Sequence, residues 1–198
     1  FHRTMEEIYS VPGGIVEKSR LRSVLRDKEG IRKKVSSKIM EQLHTFEVTG
    51  RNIIFEDIVC RYVAKVLERD IELMESRGVG SIRILGLELK RTPEMYGFRF
   101  KGSIDRLDSL SDGEVRVVDY KTGRLDDTKV GLQLYLYDSF IRDEFKDATI
   151  VNSVYHLSSL FVSPVKDILP DDDFRTVWKD TLEQILAEID DVQVPFRL

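Results

Sequence analysis

Along the first 80 residues apolar positions recur three and four apart, and beyond them they alternate or run together as in strands. A short helix is predicted over 2–9, closed by Pro12-Gly13-Gly14, and a longer helical stretch within 17–43, with Gly30 as its point of interruption. Ile54, Ile58, Tyr62, Val66 and Ile71 then predict a helix over 53–74, with Asn52 as N-cap and Gly78 to Gly80 as its end. From 81 onward the pattern changes. Segments 81–90, 96–107, 115–121 and 149–157 are rich in branched and aromatic residues and predict strands, with a turn at Asp112-Gly113. Segments 132–145 and 173–189 return to helical spacing. Strands followed by a helix and a further strand imply an α/β sheet with helices packed against it. A mainly helical part (1–80) thus leads into an α/β core (81–198), read together as one domain.

Composition narrows the class. With 41% hydrophobic and 33% charged residues, the chain reads as a soluble folded domain rather than a disordered or membrane segment. No apolar run approaches the roughly 20 residues needed to span a bilayer. A single cysteine, Cys60, excludes an internal disulfide and cannot by itself build a thiolate cluster, so a reducing cytoplasm is the expected compartment. The chain begins at Phe1 and ends abruptly at Leu198, which reads as a piece of a longer protein.

The net charge of −4 makes no global case for a nucleic-acid partner, but the charge is unevenly placed. Residues 17–38 hold nine Lys/Arg against three Asp/Glu, and residues 165–191 hold three against nine. Two readings stand: a basic face that follows phosphates with an acidic flank held away from them, or two solvated helices.

The block with chemical content is GSIDRLDSLSDGEVRVVDYKTG, residues 102–123. Alternation along 115–121 puts Val115, Val117, Asp119 and Lys121 on one face. A hairpin centred near Asp112 sets Asp105 opposite Asp119, Leu107 opposite Val117 and Ser109 opposite Val115. Two carboxylates so placed repel unless a cation lies between them. Mg²⁺, or Mn²⁺ in its place, fits such an oxygen site completed by water and a substrate phosphate. Such an ion acidifies an attacking water and balances charge on phosphoryl oxygens. Lys121 would orient that water or stabilise the transition state. The competing reading is a salt-bridged strand end. Arg106 and Asp108 fall on the opposite alternation and read as a brace for the hairpin, or Arg106 as a phosphate contact. Gln133 and Tyr137, one helical turn apart, share a face and can bind DNA, position Lys121 or form a helix's polar edge. At the strand exit Thr122 and Gly123 can bring backbone N–H groups near a phosphate or form an ordinary turn; Lys121-Thr122-Gly123 is not a Walker A motif, because no glycine-rich pattern precedes it.

Taken together, these residues resemble the PD-(D/E)xK nuclease superfamily, in particular its RecB-like and AddB-like exonuclease branch. Asp105 matches the aspartate before the hairpin, and Asp119-Tyr120-Lys121 the Asp/Glu-x-Lys element. Gln133 and Tyr137 match a downstream Gln-x-x-x-Tyr, and His2 in FHRTMEEIY matches an upstream histidine. The resemblance covers about residues 1–140. It implies a restriction-endonuclease-like fold with a mixed central sheet, and Mg²⁺-dependent hydrolysis of DNA phosphodiesters during end processing in recombination and repair. It makes Asp105, Asp119 and Lys121 catalytic, with Gln133 and Tyr137 in support. His2, otherwise readable as a solvated terminal residue, becomes a metal ligand or its neighbour, with Glu6 one turn on as a residue able to orient it. Glu88, otherwise the wet end of an apolar strand, joins the metal ligands. DNA is the implied substrate, and a helicase domain or subunit the implied partner in a longer assembly. AddB-like relatives often carry an iron–sulfur cluster held by one upstream cysteine and three C-terminal ones. Cys60 alone does not match that set, so no cluster is expected in this chain. Its VPFRL end resembles the segment leading into the missing cysteines, so a longer parent is the place for a cluster. Two alternatives stay open: a catalytically weak nuclease-fold module that binds DNA or a helicase, and a phosphohydrolase acting on something other than DNA.

Overall fold

A computed structural model describes residues 1–123, 126–163 and 165–191. The VPFRL end lies outside the described residues. Six strands form a mixed sheet in the order β1 (Ile15–Glu17), β2 (Ser81–Arg91), β5 (Gly102–Ser109), β6 (Glu114–Lys121), β7 (Thr149–His156) and β8 (Lys166–Ile168). Only β6 and β7 run parallel; the other neighbours are antiparallel. A separate hairpin, β3 (Glu94–Met95) with β4 (Phe98–Arg99), sits between β2 and β5 in the chain. The helices are α1 (His2–Tyr9), α2 (Lys18–Arg26), α3 (Lys28–Leu43), α4 (Arg51–Ser76), α5 (Asp127–Ile141) and α6 (Asp172–Asp190). The arrangement is the restriction-endonuclease-like one that the resemblance implies.

The alternation of β6 divides the interior in two. Val118 and Tyr120 face a large apolar cluster shared with α1, α3 and α4, which contribute Ile8, Val35, Val63 and Leu67. Val115 and Val117 face a smaller one with Ile104, Leu107, Tyr137 and Ile141 under α5. Burial of such side chains stabilises by roughly 1.5–3 kcal/mol each, so both helical layers are held firmly against the strands that carry the site. Gly102 makes the second contact possible: a Cβ there would lie 2.8 Å from the ring of Phe140 on α5. The turn before β6 is also as expected, with Gly113 at φ +78°.

Several local expectations need correction. The helical stretch within 17–43 breaks at Asp27, not at Gly30; the Asp27 carboxylate accepts the Gly30 N–H at 2.8 Å and caps α3. Gly50 precedes α4 as its N-cap and Asn52 lies inside the first turn. The buried stripe of α4 is Val59, Val63, Val66, Leu67, Ile71 and Met74, while Ile54 is 65% exposed and Ile58 41%. The β-rich run 96–107 is not one strand: Tyr96 (φ +52°) and Gly97 (φ +78°) turn the chain, so β3 and β4 pair with each other before β5 starts. The three-residue strands β1 and β8 have no signal in the pattern. No helix among the described residues is long and apolar enough to cross a membrane.

Four of the nine basic residues of the run 17–38, Arg22, Arg32, Lys34 and Lys38, meet acidic neighbours. Arg32 meets Glu56 and Asp57, Lys34 meets Glu7, and Lys38 lies 3.3 Å from Glu7.

Candidate active site

The β5–β6 ladder sets the site. Arg106 pairs with Val118, Leu107 with Val117 and Asp108 with Arg116, and one further step along this register carries Asp105 to Asp119. At that step a side chain replaces the ladder: Asp105 Oδ2 accepts the backbone N–H of Tyr120 at 2.8 Å. The same oxygen lies 3.3 Å from His2 Nε2, and that nitrogen is also 3.3 Å from the Tyr120 carbonyl. The first turn of α1 therefore docks on the end of the hairpin. Its histidine is set by Asp105 and Tyr120, not by Glu6.

Asp119 points to the α5 side. Lys121 Nζ donates to its Oδ1 at 3.2 Å, and Gln133 Nε2 donates to the same oxygen at 3.3 Å. Lys121 also donates to Gln133 Oε1. Gln133 then donates to the Tyr137 hydroxyl, which donates to the Ser103 carbonyl, each at 2.6 Å. Asp126 caps the helix holding this chain by accepting the Lys129 N–H at 3.1 Å. Of the readings left open for Gln133 and Tyr137, positioning Lys121 is the one their contacts match.

Glu88 stands on β2 with φ +45°, a left-handed conformation that costs a non-glycine residue roughly 1–2 kcal/mol. With His2 and Asp105 it lines a cleft of about 860 Å³ between α1, α3, α4 and β2. Burial pushes its carboxyl above the usual range, and Asp105 pushes it further. Burial also raises Asp119; Lys121 opposes that rise and Asp105 adds to it. The hydrogen bond to Asp105 raises the His2 imidazole, and Glu88 contributes. Tyr137 is pushed up to about 12, mainly by burial, with Asp119, Asp105 and Glu88 all adding to it. Asp105 therefore acts on both of the other acids.

The acids are nonetheless not gathered around a point. Among the described residues no three His, Cys, Asp or Glu side chains come together as a ready-made ion site. Asp105 is turned to His2, and Asp119 to Lys121. One oxygen has the character of a metal ligand: Asp119 Oδ2 is buried and makes no hydrogen bond, with the Lys121 ammonium 2.9 Å away as an ion pair. A donor set of carboxylates with one imidazole suits a hard divalent ion.

Behind the site lies a second ionic cluster, which the sequence reveals only in part. Arg106 meets Asp108 at 2.8 Å, as its reading as a brace requires. Arg106 also donates to Asp70 on α4 at 2.8 and 3.2 Å, and Arg116 donates to both oxygens of Asp108 at 2.8 and 2.9 Å. Tyr9 and Tyr155 both donate to Asp70. Burial alone would raise the Asp70 carboxyl, but the two guanidiniums and its hydrogen bonds outweigh it and hold it at about 2. Asp70, Arg116 and Tyr155 carry no local signal in the sequence, where nothing distinguishes a buried acid on an apolar helix face from a surface one. Cys60, half-buried on α4, has its thiol pushed up by burial.

No curated protein matches the chain. Residues 1–197 match the PD-(D/E)XK nuclease superfamily, whose members typically use divalent metal ions; with the aspartate, the Asp-x-Lys strand and the sheet in place around them, the chain belongs to that superfamily.

Proposed function

We propose that this chain is a Mg²⁺-dependent deoxyribonuclease of the RecB-like/AddB-like kind, acting on DNA ends in recombination and repair beside a helicase domain or subunit. The observation that carries the reading is the juxtaposition of Asp105 with the Asp119-Lys121 strand at the end of a hairpin, joined by the Tyr120 amide. Asp105 and Asp119 would hold the metal, with His2 and Glu88 completing or tuning its surroundings. The ion, when bound, would lower the pKa of an attacking water and offset charge on the phosphoryl oxygens. Lys121 would exchange partners in this reading, its ammonium passing from Asp119 to a nonbridging phosphate oxygen, where charge accumulates. Gln133 and Tyr137 limit that movement, since Gln133 grips Lys121 and is itself gripped by the Tyr137 hydroxyl.

The test is hydrolysis of linear duplex, circular duplex, single-stranded DNA, RNA and small phosphate esters in Mg²⁺, Mn²⁺ and chelator. Cleavage of linear DNA in metal alone, lost in Asp119→Ala and Lys121→Ala variants that still fold, is the expected result. Hydrolysis confined to small esters, or DNA binding without cleavage under every metal condition, would overturn it.

A further inference from the structure

The cleft that reaches Asp105 and Glu88 continues away from them into a wall with different chemistry. There α3 and α4 contribute Leu43 and Phe55, which are 45% and 55% exposed, together with the amides of Gln42 and Asn52. The entrance carries Arg3 and Lys38, whose partners are surface carboxylates: Arg3 with Glu41 at 3.1 Å, and Lys38 with Glu7 and Glu41 at 3.3 and 3.8 Å. Exposed pairs of this kind are worth little and exchange readily for a phosphate. At the base of the cleft Thr4 is fully buried and its hydroxyl has no partner.

Phosphodiester backbone gains nothing from an apolar wall. A nucleobase does: its face stacks on an aromatic ring, and its edge offers donors and acceptors that amides match. Base faces are accessible only where the strand is unpaired. The geometry points to a subsite for an unpaired base adjoining the reactive phosphate, with Phe55 as the stacking platform, Gln42 and Asn52 at the base edge, and Arg3 and Lys38 on the neighbouring phosphate. This rests on the nuclease reading for its position next to the reacting phosphate, and it assigns to the helical layer the choice of single-stranded over paired DNA.

Binding in chelator separates the two ideas. Fluorescence anisotropy would compare a labelled 12-nucleotide single strand, the same length of abasic backbone, and the corresponding duplex, on wild type and on Phe55→Ala, Phe55→Trp and Ile54→Ala. Ile54 is a neighbouring exposed residue outside the cleft. Stacking of one base corresponds to about a tenfold change in affinity. The base-bearing strand is expected to bind wild type about tenfold better than the abasic one. Phe55→Ala should erase that difference, Phe55→Trp keep it, and Ile54→Ala leave it unchanged. Equal affinity of wild type for the abasic and base-bearing strands, or a Phe55→Ala protein that discriminates as wild type does, overturns the subsite. If metal-dependent cleavage is intact in that case, the nuclease reading survives. If cleavage is absent while Phe55 still governs discrimination, the nuclease reading falls and the base subsite stands.

Discussion

Strands β5 and β6 supply two charged clusters from alternate residues, and the clusters have opposite characters. On one face Arg106, Asp108 and Arg116 close with Asp70 into a set of two acids and two guanidiniums, all at most 2% exposed. The other set pairs Asp119 with Lys121 and Asp105 with the partly exposed His2, and Asp105, His2 and Glu88 line an open cleft. The closed set satisfies its own charge and reads as support. The open set is acid-rich, and burial pushes two of its carboxyls upward. What distinguishes a functional cluster from a structural one here is therefore not the presence of buried charge but whether that charge is neutralised within the protein.

Breaking the closed set should have the largest effect. Asp70→Ala leaves two buried guanidiniums sharing one acid, and removal of one partner from a buried pair typically costs about 3–5 kcal/mol. Urea unfolding should show that loss. A loss under about 1 kcal/mol would mean the cluster is dispensable. The open set should answer differently. Lys121→Ala is expected to lower the DNA cleavage rate by about 10²–10³-fold, the size usual for a group that stabilises developing charge, while the thermal midpoint stays near that of wild type. A matching fall in the midpoint would make Lys121 a structural residue.

A smaller effect concerns the ion itself. At about a hundredfold excess over its dissociation constant, Mn²⁺ should stabilise wild type by about 2.7 kcal/mol and leave Asp119→Ala unmoved in a melting assay. Equal stabilisation of both would place the ion elsewhere. The pH dependence should be the subtlest contrast. A carboxyl raised by folding stabilises fully below its unfolded pKa and loses that contribution as pH climbs through the folded value. In chelator the Asp119 and Glu88 contributions should therefore fade as pH rises from about 4, near the unfolded carboxylate values. Stabilisation by metal should grow over the same interval. Asp70, held at about 2, behaves in reverse: its contribution is present above the unfolded pKa and is lost only as pH falls toward 2. Melting curves of Asp119→Asn and Asp70→Asn against pH separate the two; identical profiles would contradict the assignment.

Much of the open set was legible because it is local. The turn at Asp112-Gly113 and the period of two along 115–121 suffice to bring Asp105 to Asp119, and the observed Leu107–Val117 pair has that register. The α5 residues were legible for the same reason, since Gln133 and Tyr137 lie one turn apart. The closed set was not, because Asp70, Arg116 and Tyr155 come together only after α4 and β7 have packed on the hairpin. The face of α4 was misphased at its start for a related reason. Ile54 and Ile58 fit a helical period, yet the helix begins beyond the apolar layer, and only from Val59 onward does the stripe meet the sheet. Strands as short as β1 and β8 exist through pairing with longer neighbours and leave no period to read.

The Tyr120 peptide group joins the two faces. Its N–H goes to Asp105, its carbonyl meets His2, and its ring packs by Arg106 and Tyr155. An amide protected by a carboxylate instead of a neighbouring strand should exchange with deuterated solvent according to the fate of that carboxylate. The proton at position 120 becomes a built-in reporter: slow while Asp105 is turned inward, faster once a cation draws the side chain away, with the rest of β6 keeping its original exchange rates.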